Sequence, residues 1–243
     1  MFKFLFFFLI ICLPLFASEP ISKDEVLKVA EVTKLKIESI QTYKFLLVKR
    51  EWADGRDTGY QYLQVKVRTE PLQIYVKFLK PKKYAGREAL FKDGEITVRR
   101  GGTRLSDLVV SILPDSPLAM EGNRYPITFI NPKVLANELM KKIEHELSFE
   151  ETELIVFRQA EVFEQSGTHY RLIHTKQKRG MSCYVAEIMI SNETGLPIYF
   201  RSIDFQKHLI EEYAFKDMVF NIEFDDIEFD EKNPEYGFNN EKD

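Results

Sequence analysis

Four histidines and, past the N-terminal apolar run, a single cysteine are the residues from which a metal or nucleophilic site would have to be assembled. His169 and His174 stand five residues apart in a strand-like run, which turns their imidazoles to opposite faces and prevents chelation by neighbours. His145 falls on the polar side of an expected helix, and His208 in a charged turn. Cys183, beside Tyr184, reads as a small buried hydrophobe before it reads as a reactive thiol. No G-x-S-x-G, P-loop or H-E-x-x-H string occurs, and the carboxylates of a chain that is 30% charged nominate no acid–base pair. Gly101-Gly102, after Arg99-Arg100, is read as a turn rather than a phosphate cradle. The basic stretch Lys80-Pro81-Lys82-Lys83 with Arg87 could meet anionic headgroups; the plainer reading is a solvated loop between strands. No catalytic residue, metal or cofactor is therefore expected, and a binding protein is favoured over an enzyme.

The positive signal is apolar side chains on both faces of several expected strands. In Ile74 to Leu79, one face carries Ile74, Val76 and Phe78 while the other carries Tyr75 and Leu79. The pattern recurs at Leu154 to Phe157 and at Ile198 to Phe205. A sheet packed on one side alternates more cleanly, so these strands fit either a thick core or a curved sheet whose hollow holds a ligand.

The elements that would position these residues follow from periodicity. From Ser22 to Ile40, apolar residues recur at three- and four-residue spacing behind a cap at Ser22 with Glu25 three residues on, which predicts an amphipathic helix. Tyr43 to Trp52, Tyr60 to Arg68, Gln73 to Leu79, Glu88 to Phe91 and Ile96 to Arg100 then read as antiparallel strands. Asp93-Gly94 is the clearest hairpin turn between them. Arg104 to Asn131 carries Pro114, Pro117, Gly122 and Pro126 and is expected to be irregular. Asn131-Pro132 caps a second helix with Leu135, Ala136, Leu139, Met140, Ile143 and Leu147 on one face. Strands return at Glu153 to Glu164, His169 to Thr175, Tyr184 to Ser191, Pro197 to Phe205 and Ile210 to Asn221. Asn192 to Gly195 is a turn, so its glycosylation sequon is incidental. The fold class is thus α+β, on one large antiparallel surface.

Met1-Phe2-Lys3, an apolar run to Phe16 and a small residue at Ala17 spell a cleavable signal peptide over residues 1–17. The run is shorter than the roughly 20 residues of a spanning helix. Cys12 offers a lipoprotein alternative, disfavoured by the bulky Ile11 before it. Residues 18–222 are expected to form one domain and residues 223–243 an acidic C-terminal tail. Without the leader's lysine, 33 basic and 38 acidic side chains remain, and nine of the acidic ones lie in that tail. This distribution excludes a nucleic-acid footprint. With only Cys183 left, no intrachain disulfide can form, so stability must come from packing.

Val76-Lys77-Phe78-Leu79-Lys80-Pro81, Gly86-Arg87-Glu88-Ala89-Leu90-Phe91, Ser116-Pro117-Leu118-Ala119-Met120 and Arg124-Tyr125-Pro126-Ile127 together resemble the bacterial DUF1571 family, which would have histidine at Tyr125. Gly195-Leu196-Pro197-Ile198-Tyr199-Phe200 with Glu212-Tyr213-Ala214-Phe215-Lys216-Asp217 is similar to periplasmic lipoprotein carriers of the LolA and LppX type. The resemblance implies a strongly curved, incomplete antiparallel barrel covered by two or three helices, in a periplasmic or cell-envelope protein. It also implies a lipid, acyl chain or lipidated protein as partner, with peripheral membrane contact and a monomeric state as further expectations. Candidate lining residues are Tyr75, Phe78, Leu90, Phe157, Met189, Tyr199 and Phe205. The alternative is an envelope protein–protein interaction module with a filled core, engaging its partner through its surface or acidic tail.

Overall fold

The structure is a computed structural model and describes residues 18–101 and 108–238. The expected leader, with Cys12, lies outside the described residues, as do Gly102 and the end of the tail.

Helix α1 (Lys23–Glu38) opens on the expected capping box: Glu25 N donates to Ser22 Oγ at 3.2 Å, and Ser22 N to the Glu25 carboxylate at 3.1 Å. A short helix α2 (Pro117–Met120) starts at Ser116. Helix α3 (Pro132–Leu147) starts where Lys133 N donates to Asn131 Oδ1 at 2.9 Å, and it packs against α1. The strands are β1 (Ser18–Pro20), β2 (Thr42–Ala53), β3 (Arg56–Asp57), β4 (Gln61–Thr69), β5 (Leu72–Lys80), β6 (Glu88–Lys92) and β7 (Glu95–Arg99). They continue as β8 (Val109–Ile112), β9 (Thr152–Val162), β10 (Gln165–His174), β11 (Val185–Ile190), β12 (Pro197–Ile203) and β13 (Leu209–Phe220).

These strands form one antiparallel sheet in the order β1-β9-β10-β11-β12-β13-β2-β4-β5-β6-β7-β8, with β3 on β2, and the sheet does not close on itself. The fold is α+β: a curved, incomplete barrel whose hollow side is covered by helices. Register assigns the faces. Phe215, Leu47, Leu63 and Phe78 are successive cross-strand partners on the concave face, as are Val67, Ile74, Phe91, Ile96 and Ile112. Their buried members, with Tyr43, Phe45, Val65 and Val76, form the main core.

Three features depart from the sequence reading. β8 is a strand inside the segment expected to be irregular, because Val109, Val110 and Ile112 are β-branched and β7 offers them an edge. The β9–β10 hairpin turns at Phe163-Glu164, both at positive φ, with no glycine or asparagine to announce it. The expected tail packs: residues 223–238 run back over the convex face, where Phe229, Tyr236 and Phe238 are buried against Tyr75 and Leu90. Tyr236 stacks on Tyr75 with ring centroids 3.8 Å apart. The acidic charge of this strap meets bases of the sheet: Arg68 pairs with Asp226 at 2.9 Å and Lys66 with Glu228. β5 and β6 are apolar on both faces because the core lies under one face and the strap over the other.

Candidate functional site

The concave face is not filled by side chains. Between the sheet and the cover made by α2, the segment after it and α3 lies a cavity of about 500 Å³, within the roughly 300–1,000 Å³ of ligand cavities. Its wall is mostly apolar, with Phe45, Leu63 and Phe78 below and Ile127 and Leu139 above. A second cavity of about 270 Å³ lies between α1, α3 and strands β9 to β12. Tyr125, Leu139, Lys142, Phe200 and Glu211 border both.

The polar groups bordering the two cavities are bonded to one another. Lys49 donates to Glu51 at 2.9 Å and to Asn123 Oδ1 at 2.6 Å, and the Tyr213 hydroxyl donates to Glu51 at 2.5 Å. Lys142 donates to the Tyr125 hydroxyl at 2.7 Å and to Glu211 at 3.2 Å, while Arg124 pairs with Glu211 at 3.4 Å. Burial opposes the Lys142 charge, yet Glu211 and Tyr125 outweigh it and hold the ammonium above its usual range. Burial and then the Glu51 charge push the Tyr213 phenol well above its usual range. The interior charges therefore satisfy each other, as buried charges must.

A third cluster borders the smaller cavity. Glu146 of α3, His174 of β10 and Cys183 are all buried, and their donor atoms lie within 4.8 Å of one another. His174 Nε2 and Glu146 share a hydrogen bond of 2.7 Å, Thr152 Oγ1 lies 3.1 Å from His174 Nδ1, and Ser182 bonds the other Glu146 oxygen. His, Cys and Glu are ligand types that suit zinc. Both imidazole nitrogens are already engaged, however, so an ion would have to displace the His174–Glu146 bond. Burial, with the Glu146 charge behind it, pushes the Cys183 thiol up to about 12. Its thiolate fraction near neutral pH then falls about a thousandfold. Alkylation of Cys183, followed by mass spectrometry, is expected to be slower in the native protein than in the unfolded chain by that order. Equal rates would show an activated or accessible thiol.

Of the sequence-derived lining candidates, Phe78 lies on the cavity wall. Tyr75 and Leu90 are cross-strand partners under the C-terminal strap. Phe157, His169, Met189 and Tyr199 form one cross-strand row that continues through Ala214 to Val48, on the face opposite Leu47. Phe205 packs on Tyr184, ring centroids 5.7 Å apart. The parity of each strand decides this, since side chains alternate between faces. Phe45, Leu63 and Phe215 carried the same apolar signal as the named candidates. Glu146 was unmarked in sequence because its partners are 28 and 37 residues away on other elements.

The family profile described as "Protein of unknown function (DUF1571)" matches residues 40–238. The chain belongs to the DUF1571 family. No curated protein matches it by sequence. Mycobacterium tuberculosis lipoprotein LppX is similar in structure, with TM-score 0.50 at 11% identity over 84% of this chain and 99% of that one. This likeness shows the fold, the open LolA-like half-barrel. A chain of the Pseudomonas aeruginosa MucA/MucB complex gives TM-score 0.49 at 13% identity, over 85% of this chain and 60% of that one. An uncharacterised conserved protein of Thermus thermophilus gives 0.47 at 10% identity, over 84% and 92%. The DUF1571 match extends through Phe238, so the strap falls within the family's domain.

Proposed function

We propose that this DUF1571 protein is a non-catalytic binding protein that holds an acyl chain, free or on a lipidated partner, in the concave cavity. The observation that carries this reading is the apolar cavity of about 500 Å³ under a helical cover. Transfer from water contributes about 0.8 kcal/mol per methylene, so a chain of roughly 14 carbons offers on the order of 10 kcal/mol. Ordering and association costs of about 4–15 kcal/mol oppose it, which makes release as accessible as binding. Binding of this kind needs no chemical step, and the satisfied interior charges together with the buried Cys183 thiol agree with that. Residues 1–17 are its export leader, and the site of action is the cell envelope. Phe45, Leu63, Phe78 and Phe215 are the wall that the chain would touch.

Native mass spectrometry of protein isolated gently from the envelope tests the reading. A lipid-sized adduct in the native spectrum, lost on denaturation, is the expected result. Ala119→Trp, which projects an indole into the cavity from α2, should lower uptake of a fluorescent acyl probe by at least about tenfold while leaving the circular dichroism unchanged. A wild-type protein with no adduct and no uptake of added acyl probe would overturn the proposal and favour the protein-interaction alternative.

A further inference from the structure

The interior lysines of the cavity are paired; the arginines at its rim are not. Arg87 and Arg100 both line the larger cavity, at the end where the exposed Leu108 and Leu118 also border it. Among the described residues, neither guanidinium has a carboxylate within ion-pair distance, and Arg87 Nε is buried with no hydrogen-bond partner. The carboxylate that acts on Arg87 is Glu121, opposed by the like charge of Arg100. Burial, then that neighbouring charge, holds the Arg87 guanidinium below its usual range. A desolvated cation facing a second cation is costly unless an anion joins them.

The arrangement is fixed by backbone rather than by chance packing of long side chains. Phe78 N donates to Arg87 O at 2.9 Å and Arg87 N to Tyr84 O at 3.0 Å, which anchors the residue on both sides. Its guanidinium is held over the rings of Phe78 and Tyr84, at 5.7 and 5.0 Å. The end of β7 presses against this turn so closely that a Cβ on Gly101 would lie 2.0 Å from Arg87 N. A glycine there is what allows Arg100 to stand beside Arg87. Of the stretch singled out in the sequence as able to meet headgroups, Lys82 and Lys83 lie in the same turn and Lys80 ends β5 beside it.

We propose that Arg87 and Arg100 form a headgroup site for a phosphate or carboxylate at the mouth of the cavity, so that the ligand is an anionic amphiphile rather than a neutral lipid. The proposal rests on the acyl-binding reading above and adds the charge of the head. Guanidinium forks match both oxyanions.

The test uses three fluorescent probes with one polyene chain of the same length, ending in a carboxylate, a phosphate monoester or an alcohol. The wild-type protein should bind both anionic probes at least about tenfold more tightly than the alcohol at low salt, as expected of charge-assisted bonds. The advantage should shrink near 1 M salt, where screening acts over about 3 Å. Arg100→Gln alters an exposed side chain that has no carboxylate partner among the described residues, so it tests the site without threatening the fold. It and Arg87→Lys should each reduce the anion preference, read as the ratio of anionic-probe to alcohol-probe affinity, several-fold. Equal wild-type affinity for all three probes would overturn the headgroup site and leave the acyl cavity standing. Uptake of none of them would overturn the cavity itself. Displacement of the anionic probes by inorganic phosphate alone would show a site for the free ion and would also overturn the proposal.

Discussion

Phe229→Ala is expected to cost about 3–5 kcal/mol of stability, and ending the chain at Ile222 to leave a protein that does not fold cooperatively. Phe229 is 0% exposed, and it sits with Tyr236 and Phe238 over the convex side chains of Tyr75 and Leu90. Deleting the strap strips four aromatic side chains, Phe224, Phe229, Tyr236 and Phe238, from a face that cannot rearrange, because the concave side of the same strands is already committed to the cavity wall and core. The ion pairs of the strap contribute less, being partly exposed. Urea denaturation followed by tryptophan fluorescence and circular dichroism measures both variants. A truncated chain with the wild-type midpoint would mean that the strap is an appendage. An Asp226→Asn change should shift the midpoint little, since Asp226 is almost wholly exposed.

His174→Ala is expected to destabilise by about 3 kcal/mol, within the range seen when one member of a buried polar pair is removed. The loss leaves the Glu146 carboxylate, 4% exposed, with its Ser182 bonds and, at 4.0 Å, the His145 ring. Replacing both partners, as Glu146→Met with His174→Leu, should recover most of the loss, because it removes the unsatisfied group as well as the bond. A double-mutant cycle in urea gives the coupling directly. If the single and double variants are equally unstable, packing volume rather than the hydrogen bond holds this corner. The corner matters for the proposed function because it pins α3, which forms part of the cover, to β10 and the segment before β11.

Much of the fold is legible in the sequence. The capping box at Ser22, the Asn131-Pro132 start of α3 and the Asp93-Gly94 turn are local devices, each complete within a few residues, and each stands where the spacing placed it. The hairpin at Phe163-Glu164 and strand β8 were not legible, because neither carries its own signal: one turn is imposed by the pairing of its strands, the other strand by the open edge of β7. The double apolar faces of β5 were visible, but which face looks into a cavity was not. Tyr75 and Phe78 are equally apolar in sequence and three residues apart, and strand parity places one under the strap and the other on the cavity wall.

By itself, the sequence determined the class of fold, the helix starts, most of the strands and the absence of any recognisable catalytic string. Those are properties of spacing, propensity and short-range hydrogen bonding. Only the tertiary structure decided that the acidic C-terminal segment covers a sheet face, that Glu146, His174 and Cys183 meet, and that Arg87 and Arg100 stand together at the rim of an apolar cavity. Each of these depends on which residues distant in the chain become neighbours, and that is fixed by register and curvature summed over the whole sheet rather than by any segment's own pattern.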